Sequence, residues 1–530
     1  MNPDAPPLLS YHQRTKHTLQ RYAKGPETID WEDQPDPFRR FSGCAVLSLP
    51  KPGRDLPVRF TGLDQPQAIA PQPLDSANIG LLLELAFGLS AWKQFGPSRW
   101  ALRCNPSSGN LHPTEAYLIS TGQDFIPSGV HHYISHDHSL EQRCQFTETA
   151  VESGLFVGLS SVHWREAWKY GERAYRYCQH DIGHALGALR YAAATLGWSV
   201  DILTELADVE IAALLGVERH DDFKKHEHEA PDVLCRIRTA DPAPASYQTL
   251  LALLPSAIWS GKADSLRAYH LYHWPVIDEV ADAAHKPHTQ PAPWQTAPQL
   301  PLPSACQRGA AQIIRQRRSA QQFDGKMPSL PSADFYRMLS AVLPSTAAFE
   351  FWQSAPKVHL FIFVHRVEGL ASGLYALLRD GVALKPLQAA TSPLFGWQQR
   401  HESLPFYHLY DGDLRTIAKT LSCHQPIASD SAFSLAMVAE FGAVIKAEPW
   451  QYRRLFWECG LIGQVLYLEA EAAGVRGTGI GCYFDDSVHE ILGIKDDAFQ
   501  SLYHFTIGKP LEDSRLQTFP AYGHLQGQQQ

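Results

Sequence analysis

The 530-residue chain has no long, uncharged hydrophobic run. Its apolar stretches, such as residues 81–89, are short, and Glu84 interrupts this one. Because a bilayer-spanning helix needs about 20 apolar residues, the sequence predicts no membrane segment. The N-terminal residues 1–17 have no apolar core of the kind that signal peptides carry, which favours a cytoplasmic location.

Cysteine motifs and a large excess of one charge are also missing. The nine cysteines are odd in number, scattered along the chain and contain no CxxC pair. This favours free thiols in a reducing compartment over disulfides or a zinc ribbon. A net charge of −9, from 46 basic and 55 acidic residues, gives no electrostatic reason to expect a nucleic-acid or acidic-membrane partner.

What the sequence has is an internal repeat. Residues 174–217 and 451–494 align without a gap at a constant offset of 277 (452 − 175), and Lys169 and Lys446 fall on the same offset. Eight further positions are identical between the copies: Tyr175/Tyr452, Arg176/Arg453, Gly183/Gly460, Leu189/Leu466, Gly197/Gly474, Asp208/Asp485, Leu215/Leu492 and Gly216/Gly493. Since each half is long enough to bury its own core, we interpret the protein as two copies of one domain, a covalent version of a homodimer.

A proline-rich segment separates the copies. Six prolines fall close together in it: Pro287, Pro291, Pro293, Pro298, Pro301 and Pro303. Proline at this density favours an extended, semi-rigid connection. We therefore predict a first domain over residues 1–280, a linker over 281–303 and a second domain over 304–530.

The coarse secondary structure is mixed. Helical periodicity covers residues 174–196 and 452–473, and a glycine follows each segment as a cap. Residues 208–215 and 485–492 begin with a capping-type aspartate, which predicts two short helices. Two segments rich in β-branched or aromatic residues are typical of strands: 116–120 and 358–366. Helices and non-repeating strands favour an α+β class, a sheet flanked by helices in each domain, over a TIM barrel or a regular βαβ array.

The first chemical motif, NPSSGN, supplies four candidate binding residues: Pro106, Ser107, Ser108 and Asn110. Small side chains and a glycine let the backbone approach a planar ligand closely, and the hydroxyl and amide groups can hydrogen-bond ring heteroatoms. A plain turn is the alternative, because the same residue types favour turns.

The second motif is Arg317, Arg318 and Ser319 at the end of a helical segment. Two adjacent guanidinium groups and a hydroxyl suit a phosphate. An exposed, charged helix end is the alternative.

The third motif, RGTGIG, contributes five candidates: Gly477, Thr478, Gly479, Ile480 and Gly481. A dinucleotide-binding fold needs a strand before the glycines and a helix after them. Here a helix comes first, so we reject that fold. The segment fits a loop running against a ligand, or a tight turn from helix to strand.

Two histidine groups raise the question of a metal: His131, His132, His136 and His138, and His226, His228 with the more distant Cys235. Neither has established zinc-ligand spacing. We predict solvated loops there and no metal site.

Five segments together resemble the FMN-dependent nitroreductase superfamily, and more closely its SagB/ThcOx-type dehydrogenases, which oxidise azoline rings in ribosomally made peptides. They span nearly the whole chain: residues 11–17, 105–117, 165–185, 315–323 and 477–486. In combination they are specific for the superfamily and much less so for the substrate. The resemblance implies two tandem nitroreductase-like domains.

The resemblance also implies how the cofactor is bound. In that superfamily one subunit of an intertwined dimer supplies the arginine motif and the late glycine segment, here residues 477–481. The other subunit supplies the Ser-Ser loop, here residues 106–110. The second half here has residues 317–319, the glycine segment, and Lys509 and Arg515. It lacks a counterpart of residues 106–110, while the first half offers only Arg-Thr-Lys-His at 14–17. The resemblance therefore implies one complete site, and so one FMN per chain. It also implies a monomer that acts as an internal pseudodimer.

Lys169 and Tyr170 are the implied catalytic pair. A lysine desolvated against flavin and aromatic rings loses its proton more easily, so it could take a carbon-bound proton while hydride passes to flavin N5. A surface lysine beside a packing aromatic is the alternative. Because Ala447 follows Lys446 in the second copy, we expect no such chemistry there.

Three function classes stay open. The first is an FMN oxidoreductase that dehydrogenates a peptide-borne or small heterocycle. The second is a nitro- or quinone reductase that takes hydride from NAD(P)H. The third is a flavin-stabilised scaffold of a peptide-modifying complex, for which the linker and an insertion at residues 378–433 would be docking surfaces. The Lys169–Tyr170 pair favours the first class; the sequence specifies neither the substrate nor the electron acceptor.

Overall fold

A computed structural model describes residues 7–148, 152–224, 227–240, 245–267, 271–291 and 294–525. His226 and Pro293, named above, lie outside these ranges. Within them, no helix is both long and apolar enough to cross a bilayer.

The described helices are α1 (Pro7–Arg14), α2 (Ser76–Phe87), α3 (His163–Tyr170), α4 (Ala174–Thr195), α5 (Asp208–Leu215), α6 (Tyr247–Leu253), α7 (Pro275–Ala283), α8 (Ala310–Gln316), α9 (Ser332–Ala341), α10 (Leu384–Ala390), α11 (Arg415–Leu421), α12 (Pro426–Asp430), α13 (Gly442–Ala447), α14 (Gln451–Ala472) and α15 (Asp485–Leu492).

The described strands are β1 (Phe41–Ser42), β2 (Ala45–Ser48), β3 (Leu89–Phe95), β4 (Ser98–Arg103), β5 (Thr114–Thr121), β6 (Gly129–Ile134), β7 (Ser139–Gln145), β8 (Gly154–Ser161), β9 (Ser199–Ile202), β10 (Ala230–Arg238), β11 (Ile258–Trp259), β12 (Lys262–Ala263), β13 (Val358–Val364), β14 (Gly373–Leu377), β15 (Gln398–Gln399), β16 (Phe406–Asp411), β17 (Phe433–Glu440), β18 (Arg476–Ile480), β19 (Phe499–Gly508) and β20 (Gln517–Phe519).

Each half builds one large antiparallel sheet. The first has the order β11-β7-β6-β5-β8-β10-β9, with β2 also pairing β7, and the second has the order β15-β16-β14-β13-β17-β19-β18. Six neighbouring strands therefore correspond in both chain order and spatial order: β7-β6-β5-β8-β10-β9 and β16-β14-β13-β17-β19-β18. The same topology occurs twice, which confirms the tandem α+β fold. Since β16, the counterpart of β7, lies within residues 378–433, only part of that segment is an insertion.

The repeated helix is the centre of each half. Every residue of α4 is buried, because α4 packs on α14, α2 and its own sheet. Its sequence nevertheless includes Asp181 and His184, which are fully buried. Buried polar groups need partners, and both of these face the cavity described below.

The helices α4 and α14 cross at the repeated glycines. A Cβ atom added at Gly183 would lie 2.8 Å from the Cα of Gly460 and closer still to the carbonyl oxygen of Trp457. One added at Gly460 would lie 2.9 Å from the Cα of Gly183. Only glycine therefore lets the two helix backbones touch. The repeated tyrosines Tyr175 and Tyr452 stack near the start of the same helices, with ring centroids 6.4 Å apart.

The repeated arginine and aspartate form two reciprocal ion pairs between the halves. Arg453 donates to Asp208 at 2.8 Å, and Arg176 donates to Asp485 at 2.8 Å. All four side chains are buried, and the reciprocity is that of a two-fold dimer interface. The prediction that these aspartates cap their helices is wrong. Each is the first residue inside its helix, one position after the N-cap, and its carboxylate binds the arginine of the other half instead.

Each half also extends a terminal arm onto the other. Near the N-terminus, His17 forms an isolated bridge with Phe484 of the second half. Near the C-terminus, β20 joins β3 and β4 of the first half in a small antiparallel sheet. The Tyr522 hydroxyl accepts a hydrogen bond from the Leu89 amide at 2.8 Å. The two halves are thus interleaved.

The described part of the linker is attached to both halves. Residues 281–283 still belong to α7, so the helix runs into the segment predicted as linker. Further on, the Thr289 amide donates to the Glu205 carbonyl at 2.9 Å, and the Trp294 amide donates to the Gln353 carbonyl at 3.1 Å. The domain boundaries given above stay predictions.

Candidate functional site

One cavity is lined by both halves. Its volume is about 420 Å³, within the ~300–1,000 Å³ typical of small-molecule sites. The first half contributes the β3–β4 hairpin, the loop after β4 and α4; the second contributes the segment after α8, β18 and residues 510–516. Twelve predicted site residues line it: Pro106, Ser107, Ser108, Asn110, Tyr170, Arg317, Arg318, Ser319, Thr478, Gly479, Ile480 and Gly481. Four others do not: Lys169, Gly477, Lys509 and Arg515.

The Ser-Ser loop has an unusual backbone. Gly109, Asn110 and His112 have φ values of 61°, 61° and 52°, a left-handed region that residues other than glycine rarely adopt. The Ser107 hydroxyl accepts from the His112 amide at 2.8 Å, and the Asn110 side chain donates to the Ala101 carbonyl at 2.9 Å. Side chains of the loop thus hold a strained backbone in place, and such strain clusters at ligand sites.

Two buried carboxyl groups lie behind this loop. Asp181 on α4 accepts hydrogen bonds from the Ser108 amide at 3.1 Å and its hydroxyl at 3.2 Å, and burial raises its pKa to about 7. Glu166 on α3 is also buried, and burial, followed by the charge of Asp181, raises its pKa well above the usual range. Asp181 therefore brings to the cavity a carboxyl group that titrates near neutral pH.

Arg317 and Arg318 lie at the opposite side, without a carboxylate partner in the described residues. Arg317, 3% exposed, donates to the carbonyl oxygens of Arg103 and Cys104 at 3.0 and 3.3 Å. Arg318 donates to main-chain carbonyls, including that of Ser90 at 2.8 Å. Burial lowers the pKa of Arg317, and it lowers that of Arg318 to about 10. These two uncompensated charges favour an anion in the cavity.

Tyr467 on α14 connects the arginine segment to the glycine segment. Its hydroxyl lies 2.8 Å from the Ser319 hydroxyl and accepts from the Gly479 amide at 2.9 Å. A Cβ atom added at Gly479 would clash with the Tyr503 hydroxyl, and one added at Gly481 would clash with the Tyr177 ring. Aromatic side chains pressed against the backbone thus explain why glycine occupies these two positions.

The glycine segment differs from its prediction. It is a strand, β18, at the edge of the second sheet, and neither a loop nor a turn. Gly477 faces away from the cavity, since a Cβ there would lie 2.6 Å from the Phe505 ring. Lys509 is exposed, and Arg515, 72% exposed, pairs with Asp513 at 2.7 Å. A binding role for these three residues gains no support from the geometry.

Lys169 and Tyr170 lie beneath the tip of the Ser-Ser loop. A Cβ at Gly109 would lie 2.5 Å from the Tyr170 hydroxyl and 3.2 Å from Lys169 Nζ. The ammonium group also lies 5.5 Å from the Trp31 ring centroid. Burial lowers the pKa of Lys169, against an opposing effect of Glu166, and burial raises that of Tyr170. The pair is adjacent to the cavity, with only the tyrosine on its wall.

Comparison with known proteins follows the same division of the chain. Residues 314–509 match the nitroreductase family model. Residues 314–509 form a nitroreductase-family domain, and the whole chain has the nitroreductase fold. The fold assignment rests on the crystal structure of a putative nitroreductase from Anabaena variabilis. It aligns over 96% of this chain and 100% of its own, with a TM-score of 0.68 and 20% identity. The matched family is one of oxidoreductases.

Two more distant similarities accompany these. Putative nitroreductase MJ1384 of Methanocaldococcus jannaschii is 22% identical over 160 residues, which are 28% of this chain and 77% of the relative. A chain of the E. coli microcin synthetase McbBCD complex, bound to truncated pro-MccB17, aligns over 45% of this chain and 88% of its own, with 16% identity and a TM-score of 0.26. At that TM-score the likeness supports no conclusion.

The arginine motif of the nitroreductase domain has no equivalent charge excess in the first half. At the position aligned by the resemblance, Arg14 pairs with Glu172 at 2.5 Å and Lys16 pairs with Asp486 at 2.9 Å. Both cations are thus neutralised by carboxylates. This asymmetry agrees with a single anion-binding site.

Three of these histidines, His131, His132 and His138, are buried rather than solvated, whereas His228 is exposed as predicted. His131 and His132 lie in β6 and are buried, so the prediction of a solvated loop is wrong for them. Burial opposes the charge of His132, but hydrogen bonds to Glu115 and Glu141, each 3.0 Å long, raise its pKa to about 9. Among the described residues, a group with ligand atoms within 4.8 Å of one another is His136, Asp137 and His524. There Asp137 is already paired with Arg40 at 2.6 Å.

The sequence analysis did not identify several residues that line the cavity: Lys93, Trp100, Tyr177, Asp181, His184, Gln425, Tyr467, Cys482 and Tyr503. His184 hydrogen-bonds the Tyr503 hydroxyl across the two halves at 3.1 Å. The available signal was the polar residues of α4, because a helix this polar is buried only where partners or a ligand meet it.

Proposed function

We propose that the chain is an FMN-dependent oxidoreductase that dehydrogenates an azoline-type heterocycle, either free or carried by a peptide. The observation that carries the cofactor assignment is the pair Arg317 and Arg318. Both face a shared cavity, and within the described part of the chain they donate to carbonyl oxygens and to no carboxylate. A phosphate supplies the missing negative charge. The cavity between the halves, with its one arginine motif, supports one FMN per chain.

The rest of the cavity fits a planar ring. Glycine backbone at Gly479 and Gly481, and the aromatic side chains of Tyr177 and Tyr503, form one side. The Ser-Ser loop and the amide-rich backbone around Ser108 form another. When bound, FMN would supply a ring that accepts hydride at N5. The residues of the chain bind and orient it and restrict the access of water.

Lys169 and Tyr170 support dehydrogenation specifically. Removing hydride from one ring carbon of an azoline requires loss of a proton from its neighbour, so a base must lie next to the cavity. Burial lowers the pKa of Lys169 and increases the fraction of neutral amine, which accepts a proton at Nζ. Tyr170 on the cavity wall orients the substrate through its hydroxyl. Asp181, with a pKa of about 7, is a second proton carrier behind the loop.

A nitro- or quinone reductase is the second candidate, because the family match at residues 314–509 favours it. In that case NAD(P)H delivers hydride in the same cavity, and no carbon-bound proton has to be removed. Lys169 would then have no chemical role.

Lys169→Ala and Tyr170→Phe distinguish the two. If Lys169 is the base, Lys169→Ala keeps the fold and the flavin but loses dehydrogenation of azoline peptides by ~10²-fold or more. Tyr170→Phe keeps the ring and loses only the contribution of the hydroxyl. Lys446→Ala, at the repeated position, is the matched control and leaves the rate unchanged. Fast NAD(P)H-driven nitro reduction that Lys169→Ala leaves unaffected would instead assign the reductase.

A further inference from the structure

Two cysteines meet at the wall of the cavity. The sulfur atoms of Cys423 and Cys482 lie 2.6 Å apart, and Cys482 lines the cavity. Both are half-buried free thiols. Of the other seven cysteines, Cys44 is half-buried and six are buried. This pair differs from the six buried cysteines in exposure, and it differs from the half-buried Cys44 in its sulfur–sulfur contact.

Hydrogen bonds hold the two cysteine-bearing segments side by side. The Gln425 side chain donates to the carbonyl of Cys482 at 3.2 Å, and the Phe484 amide donates to the Leu421 carbonyl at 2.8 Å. Cys423 lies between Leu421 and Gln425 in the turn that joins α11 to α12. These two hydrogen bonds hold the segments that carry Cys423 and Cys482 next to each other. Little backbone movement is therefore needed for the two sulfurs to bond.

The surroundings make the two sulfurs chemically different. The hydrogen bond with Cys423, against the opposing effect of burial, lowers the pKa of Cys482, and His17 and the charge of Arg173 act in the same direction as Cys423. His17 accepts at Nδ1 from the Ala23 amide at 2.8 Å, which leaves Nε2–H to donate to the thiolate. The same contact raises the pKa of Cys423. A thiolate is the attacking species in disulfide exchange, so Cys482 is the nucleophile.

We propose that Cys482 and Cys423 are a redox-active dithiol that small disulfides of the glutathione class oxidise to an intramolecular disulfide. The Cys482 thiolate attacks one sulfur of the small disulfide, whose S–S bond breaks and releases one thiol after protonation. Cys423, having given its proton to solvent, then attacks Cys482 and releases the second thiol. The two cysteines lose two electrons, and the small disulfide gains them as two thiols.

The order of the steps follows from the pair. While Cys482 is a thiolate, its negative charge keeps the proton on Cys423. Once Cys482 is in the mixed disulfide that charge is gone, so Cys423 loses its proton more easily and resolves the adduct. The product ties the α11–α12 turn to the end of β18. The first thiol to react faces the cavity, so oxidation also removes a negative charge from its wall.

Equilibration of the full-length protein with reduced and oxidised glutathione tests this. Free thiols are blocked with iodoacetamide and the peptides are assigned by mass spectrometry. We expect one disulfide, Cys423–Cys482, to form as the proportion of oxidised glutathione rises, while Cys44 stays alkylatable. Cys423→Ser, which cannot resolve the adduct, should accumulate glutathione on Cys482. Cys482→Ser should carry at least tenfold less glutathione on Cys423.

Cys44→Ser is the matched control and leaves the Cys423–Cys482 disulfide unchanged. Thermal unfolding of each variant checks that it is folded, and the wild-type experiment stands without any variant. Failure of the wild type to form this disulfide at any glutathione ratio overturns the proposal. Equal glutathione loading of Cys423 and Cys482 in the two variants overturns the assignment of Cys482 as the nucleophile.

Discussion

Replacing Gly183 with alanine tests the close crossing of α4 and α14. The added Cβ would lie 2.8 Å from the Cα of Gly460, whereas carbon atoms in good contact are ~3.5–4.0 Å apart. The helices must therefore separate by about 1 Å at this point. The obstacle is backbone, which cannot turn away, so we take the upper end of the ~1–3 kcal/mol for overpacking. Alanine regains ~1 kcal/mol as a helix former, which leaves a net loss of ~2 kcal/mol.

Thermal unfolding followed by circular dichroism measures this loss. For an unfolding unit of ~150–250 residues, ~2 kcal/mol corresponds to a Tm lower by ~4–8 °C. Gly80→Ala in α2 is the matched control, because its Cβ would meet its nearest atom at an ordinary 3.4 Å. It should leave Tm unchanged or slightly higher. Gly183→Ala should also weaken FMN binding, since the cavity is lined by both halves, and Gly80→Ala should not.

A double variant provides the decisive comparison. If both glycines serve one crossing, the separation forced by Gly183→Ala already makes room for Gly460→Ala. The two losses then sum to less than their independent total. An unchanged Tm for Gly183→Ala, or full additivity in the double variant, would refute the reasoning.

Three further outcomes are expected. The purified protein should contain close to one FMN per chain, measured by flavin absorbance against protein content, and two FMN per chain would contradict the single composite site. The double variant Arg317→Gln, Arg318→Gln should bind FMN ~100-fold or more weakly, because each charged hydrogen bond contributes ~1.5–3 kcal/mol. Light scattering should give the mass of a monomer, because the partner domain is covalently supplied at high effective concentration, and an obligate dimer would count against this. Burial raises the pKa of Asp181 to about 7, so its contribution to stability is fully present below its unfolded pKa and is lost as pH rises towards 7; Tm measured from pH 4 to 8 should therefore fall less in Asp181→Asn than in the wild type.

The repeat made the interface predictable. The identical positions found by aligning the chain with itself include Gly183 and Gly460 at the helix crossing, and the arginines and aspartates of the reciprocal ion pairs. They are identical because a two-fold contact uses each residue type twice. Complementary loss of motifs likewise predicted that the Ser-Ser loop and the arginines belong to one cavity, which is where the structure places them.

Other parts of the site had no local signal. Asp181 and Glu166 are ordinary acidic residues in sequence, and only burial gives them their raised pKa values. The β3–β4 hairpin meets residues 510–516 through pairing with β20, a contact between segments far apart in the chain. Lys509 and Arg515 were expected in the site from the family resemblance, but both are exposed, and an exposed charge is more often solvated. The glycine segment was predicted as a loop or turn, but it is an edge strand. An edge strand tolerates glycine where aromatic rings cover its backbone.

The small sheet formed by β20, β3 and β4 has a consequence for biosynthesis. Thr518 in β20 and its partner Lys93 in β3 are 425 residues apart. A ribosome adding ~5–20 residues per second needs tens of seconds to cover that distance. The nascent first half therefore waits with an open hairpin edge, and Lys93 and Trp100 of that hairpin are part of the cavity wall. A ligand can therefore bind in the complete cavity only after the second half has been synthesised. The cavity wall is complete only once β20 has paired with β3.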